Sequence, residues 1–149
     1  PMFPPDEQVR ALRRFRDHVS TVVGRRLRTP VALCVSKIDL LETAPYGNSD
    51  NIRRFYSALQ EIGEDITLDA MSRRSAITGE LRDTIWPGWN IEREVDEIFG
   101  GRFQFFPMTP VGLESKGEKD LSKVTIRPFA VLEPLLWLLH MTGHPIFTK

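Results

Sequence analysis

The stretch TPVALCVSKIDLLE, Thr29–Glu42, decides the fold class. Val31 to Val35 is a short, continuous apolar run entered through Pro30. Its length suits a strand rather than a helix. An unbroken apolar run of this kind fits a strand buried on both faces, as in a parallel sheet covered by helices. The run ends abruptly in Ser36-Lys37-Ile38-Asp39 before turning apolar again. Far downstream, RFQFFPM (Arg102–Met108) reads as a second strand, followed by the turn Thr109-Pro110-Val111-Gly112.

The segments around these strands read as helices. From Asp6 to Gly24, Val9, Leu12, Phe15, Val19, Val22 and Val23 recur at three- and four-residue steps, with acids in the first turn and a glycine stop. TAPYGNSD (Thr43–Asp50) is a loop by composition, and Ser49 or Asp50 caps the next helix. In that helix, Asn51–Gly63, the residues Ile52, Phe55, Tyr56, Leu59 and Ile62 form one stripe. Asp65 to Leu81 carries a weaker helical pattern. Trp86-Pro87-Gly88-Trp89 breaks the chain, Asn90 caps a short helix over Ile91–Phe99, and Gly100-Gly101 ends it. Leu113–Arg127 is polar and expected to be mobile. A final helix lies within Pro128–Thr142, where Pro134 either kinks it or marks a later start, and Gly143 stops it. Helix, strand, helices, strand, helix is the alternation of an α/β layered fold, here a partial parallel sheet with flanking helices.

Size and charge narrow the function classes. The 149 residues amount to one domain by length, residues 1–149, with a helical insertion over about 50–100. Twenty basic residues balance twenty acidic ones, so no global field draws the chain to nucleic acid or to an anionic membrane. The charge is uneven: seven arginines face three acids from Asp6 to Arg28, and ten acids face four arginines from Glu61 to Glu97. The single cysteine, Cys34, excludes an internal disulfide framework and reads as a buried, reduced thiol in a cytoplasmic protein. The apolar stretch Phe129–Gly143 is interrupted by Glu133, Pro134 and His140, and is too short to span a bilayer. Met2 is not the first residue, which reads as a fragment of a longer chain.

Ligands of open α/β sheets sit at the carboxyl ends of the strands, and both strands here end in polar or turn residues. With Ser36-Lys37-Ile38-Asp39 after one and Thr109-Pro110-Val111-Gly112 after the other, the chain resembles the C-terminal half of a P-loop GTPase domain. The class is the translation-factor-related one, and bacterial members with helical insertions suit the long spacing between the two motifs. In that family one strand ends in Asn/Thr-Lys-x-Asp and the next in a short Ser-Ala-x loop. The resemblance implies that Asp39 accepts from the adjacent N1–H and N2 amine of guanine, and that Lys37 lays its stem along the base. Thr109 then orients Asp39, and the backbone N–H of Val111 approaches the guanine O6.

Two residues depart from the family pattern. Ser36 stands where Asn or Thr is usual, and Pro110 stands where Ala is usual, removing a backbone N–H. No Gly-x-x-x-x-Gly-Lys-Ser/Thr occurs in the chain. The implied ligand is therefore GTP or GDP bound through its base, with no hydrolysis by this chain alone. Mg²⁺ is implied only if a phosphate-binding half is supplied elsewhere, by an upstream half-domain or a partner protein. The competing expectation is a non-catalytic interaction or scaffold domain with a degenerate GTPase-like fold.

Other constellations read as structural. His140 and His144 are four apart, but Gly143 separates them from a shared helix and no nearby acid or cysteine completes a metal set. No Gly-x-Ser-x-Gly elbow supports a hydrolase. Glu92, Glu94, Asp96 and Glu97 read as a solvated helix face. The arginines of the first helix lack the interleaved aromatics of a single-strand nucleic-acid binder. Trp86 and Trp89 read as a lid packing back on the chain or as a partner anchor.

Overall fold

The computed structural model describes residues 5–23, 28–41, 49–85, 88, 90–113, 122 and 125–147. Its two strands, β1 (Val31–Ser36) and β2 (Phe103–Met108), pair in parallel from Val31 opposite Phe103 to Ser36 opposite Met108. Parallel neighbours cannot be joined by a hairpin and need a long crossover. Here it contains α2 (Asp50–Ile62), α3 (Leu68–Ile85) and α4 (Ile91–Phe99), while α1 (Pro5–Val23) precedes the sheet and α5 (Glu133–Met141) follows it. The chain is thus an α/β fold with a two-stranded parallel sheet packed against helices. Gly24, most of Thr43–Asp50, Trp86, Trp89 and most of Leu113–Arg127 lie outside the described residues.

Local chemistry sets the helix ends. Asn90 Oδ1 accepts from Arg93 N at 3.1 Å, and Gly100 ends α4 at φ 76°. Thr67 Oγ1 accepts from Ala70 N at 3.1 Å at the start of α3. Ser49 occupies the N-cap of α2 without a side-chain bond. Pro134 falls in the first turn of α5, where its missing N–H removes no helical bond, so it marks a start and not a kink.

Alternation along the strands divides the core. Val31, Leu33, Val35, Phe103 and Phe105 face α4 and the Val9–Leu12 stripe of α1. Ala32 and Phe106 face the opposite way, toward Met71 of α3 and Trp137 of α5. A further cluster joins Ile38 and Leu41, just past β1, to the stripe of α2 and to Leu81, Ile85 and Phe129. The expected two-sided burial of β1 is corrected: its residues are half-buried or exposed, and Cys34 is exposed. Among the described residues β1 has one strand neighbour, so its apolar run is not enclosed as a central strand would be.

A buried ion pair ties the helical crossover to the C-terminal helix. Arg74 of α3 is 0% exposed. Its Nη2 and Nε donate to Glu133 Oε1 and Oε2 at 2.5 and 3.2 Å. Nη1 donates to Gly63 O at 2.8 Å and Nη2 to Asp65 O at 2.7 Å, while the guanidinium lies 5.9 Å from the centroid of Phe129. Burial pushes the Glu133 carboxyl up and the adjacent Arg74 pulls it back. The acids of α4 are not simply a solvated face, because Glu94 pairs with Arg13 of α1 at 2.5 Å and Glu92 pairs with Arg82 of α3. Phe15 stacks on Phe99 beside the first of these bridges, with centroids 6.0 Å apart.

Breaking the buried pair from one side strands a charge, so Arg74→Met should cost about 3–5 kcal/mol in urea unfolding. The double variant Arg74→Met/Glu133→Leu should recover most of that loss, and a double variant as unstable as the single one would contradict the desolvation account. The α1–α4 bridge carries its own pH signature. The Arg13 hydrogen bond holds the Glu94 carboxyl below the ordinary glutamate value of 4.5. Its contribution is therefore fully present above that value and is lost as pH falls through the depressed one. Wild type should melt above Glu94→Gln at neutral pH, and the two curves should converge in acid.

Candidate functional site

Because the pairing ends at Ser36 opposite Met108, the chain leaves both strands at one end of the sheet, side by side. Lys37 then takes φ 58° and ψ 38°, a left-handed conformation uncommon outside glycine. That residue starts the 3-10 turn Ile38–Leu40, closed by Leu40 N to Lys37 O at 3.0 Å and Leu41 N to Ile38 O at 3.1 Å. Ile38 is fully buried, and Tyr56 of α2 donates its hydroxyl to the Ile38 carbonyl. With Ile38 anchored, Asp39 is only 5% exposed, whereas Leu40 beside it is 43% exposed.

The second strand meets this turn through one side chain. Thr109 Oγ1 donates to Asp39 Oδ1 at 2.5 Å, across 70 residues of sequence, and both groups are buried. The same hydroxyl oxygen accepts from Val111 N at 3.3 Å and Gly112 N at 3.4 Å. The loop is pinned along its length by the segment before α5. Thr109 N donates to Phe129 O at 3.2 Å, Phe129 N to Thr109 O at 2.9 Å, and Arg127 N to Val111 O at 3.2 Å. Gly112 sits at φ 106°, and a Cβ there would come within 2.6 Å of the Arg127 carbonyl oxygen. Any other residue at position 112 would force that backbone apart.

The structure therefore brings Asp39 and Thr109 into direct contact. Ser36 and Lys37 are exposed at the rim of the same strand end. Val111 is half-buried, with its N–H turned inward to Thr109. Tyr56, Phe129 and Arg127 carry no signal in the sequence for a place at this strand end, which Phe129 and Arg127 hold through backbone groups. Gly112 was visible as the end of a turn, though not as a close approach of two backbones. A cleft of about 190 Å³ opens beside the loop, lined by Leu59, Gln60, Gly63, Gly112 and Arg127 among others, but its lining includes neither Asp39 nor Lys37.

The histidines stand apart from this strand end. His140, in the last turn of α5, packs edge-on against Phe147 at 5.6 Å. His144 lies past Gly143, its Nδ1 3.3 Å from both Thr142 Oγ1 and Leu139 O. Among the described residues no three His, Cys, Asp or Glu side chains are grouped to hold a metal. No described helix is long and apolar enough to cross a membrane. Comparison with protein-family models, curated proteins and solved structures finds no match for this chain.

Chemically, the strand ends present a carboxylate fixed by a hydroxyl, with an exposed lysine two residues before it in the chain. Each carboxylate oxygen accepts more than one hydrogen bond, so the Thr109 bond leaves accepting capacity on Asp39. Thr109→Val removes the donor to Asp39 and the acceptor for two N–H groups, and should cost about 2–4 kcal/mol in denaturant unfolding. Thr109→Ser keeps the hydroxyl and should retain most of the stability. A loss in Thr109→Ser with none in Thr109→Val would instead assign the role of Thr109 to its methyl group.

Proposed function

We propose that this strand end is the base-recognition site of a guanine-nucleotide-binding, GTPase-like domain of cytoplasmic type. The observation that carries the reading is the 2.5 Å bond from Thr109 Oγ1 to Asp39 Oδ1, which links the loops after two adjacent parallel strands. An acceptor fixed in this way suits guanine, which presents N1–H and the N2 amine side by side. Adenine offers no such pair of donors. Lys37 leaves the strand in a left-handed turn with its side chain exposed, and its stem is assigned to the face of the base, with Ser36 at the rim. Thr109 acts as a positioning residue, and Val111 contributes to the wall. GTP or GDP is the ligand. Mg²⁺ and hydrolysis belong to a phosphate-binding half, either upstream or on a partner.

A second reading has its own observation. Asp39 is 5% exposed and already serves as the tie between the two strand ends, which is what a scaffold that retained the fold without the ligand would keep.

Calorimetric titration with GDP, GTP and ATP separates the two. The proposal expects the guanine nucleotides to bind with Kd below about 1 mM and ATP not to bind. Asp39→Asn exchanges one accepting oxygen for a donor, and should shift preference from GDP toward xanthosine diphosphate, whose C2 carries a carbonyl. Absence of any guanine-nucleotide binding by a folded protein would overturn the proposal and leave the scaffold reading.

A further inference from the structure

The backbone donors of the loop facing Asp39 are all accounted for. Thr109 N–H is committed to the Phe129 carbonyl, Pro110 has no N–H, and Val111 and Gly112 both donate to Thr109 Oγ1. The commitments are mutually reinforcing. The hydroxyl that draws in Val111 and Gly112 is the one that donates to Asp39, so turning either amide outward disturbs the carboxylate's own support. The Arg127 N–H donates to the Val111 carbonyl from the other side, and the close approach of Gly112 to Arg127 O fixes the end of the loop.

Guanine has two faces of recognition along its edge: the donors N1–H and N2–H, and the acceptor O6. A site built from this strand end holds an acceptor for the first and no free backbone donor from Thr109–Gly112 for the second. From this we infer that base recognition here is one-sided. The ligand class is the 2-aminopurine nucleotides that carry a proton on N1, whatever atom occupies C6. This rests on the proposed base-recognition role of Asp39 and adds to it the specificity at the opposite end of the base. The inward amides of Val111 and Gly112 and the proline at 110 are its determinants, with Lys37 assigned to the face of the base as proposed above.

The test compares GDP, 6-thio-GDP and IDP by calorimetry at mildly acidic pH, where N1 of each keeps its proton. The thiocarbonyl replaces O6 with a poor acceptor and leaves N1–H and the amine intact. IDP keeps O6 and loses the amine. The expected result is GDP and 6-thio-GDP within about twofold of each other and IDP weaker by about tenfold, since one hydrogen bond is typically worth a factor of that order. Pro110→Ala restores an amide at an exposed position and should open a gap of about threefold to tenfold in favour of GDP over 6-thio-GDP. A wild-type preference for GDP over 6-thio-GDP of about tenfold or more would overturn the inference while leaving guanine recognition standing. Equal binding of IDP and GDP would overturn it by removing the amine from recognition. Failure of GDP itself to bind would end both the inference and the reading beneath it.

Discussion

The parallel pairing of β1 with β2 is the constraint on which the rest of the structure depends. Six residue pairs in register, from Val31–Phe103 to Ser36–Met108, bring the chain out of both strands at one end. That common exit places Asp39 beside Thr109, and the crossover between them supplies α4 to one face of the sheet and α3 to the other, beside α1 and α5. A parallel pair cannot be closed by a tight turn, so the insertion of three helices is part of the same constraint. The site is thus a product of topology more than of local sequence.

Two buried polar ties complete this arrangement, and they do different work. Arg74 with Glu133 is an ionic tie between α3 and α5, with two further guanidinium donors given to the carbonyls of Gly63 and Asp65. Asp39 with Thr109 is a smaller tie that holds two loops. Phe129 stands between them: its ring receives the Arg74 cation and its backbone pairs with Thr109. The ionic tie and the strand end are therefore mechanically connected through one residue. Burial of charge is repaid only when further hydrogen bonds support the pair, and Arg74 uses four of its five N–H donors on the protein.

What could be read from the sequence followed the range of the interactions. The helix over Ile91–Phe99 was legible to the residue because its signals are local: Asn90 caps it and Gly100 ends it. The stripe of α2 was legible because all five of its apolar residues are buried. The pattern of α3 was obscured because its buried face, Ala70, Met71, Arg74, Thr78, Leu81 and Ile85, has helical spacing but includes two polar residues. Nothing near Arg74 in sequence announces Glu133. The burial of β1 was overestimated because an apolar run records what a strand tolerates and not how many neighbours it has. The contact of Asp39 with Thr109 was anticipated through a family pattern and not through periodicity. The inward turn of the Val111 amide had no sequence signal, since it depends on where a hydroxyl seventy residues after Asp39 comes to rest.

That separation also governs when the strand end comes into being. A hydrogen bond between residues 70 apart closes a loop that includes α2, α3 and α4, and the entropy of such a closure is regained only when the packing around it forms. Helices can arise early from local signals, but Asp39 and Thr109 meet only as the parallel strands align. The carboxylate's support therefore requires the aligned strand pair, and a ligand held by it engages the folded chain. A ligand at this position would draw the folding equilibrium toward the native state by mass action, acting as a clasp on the whole crossover.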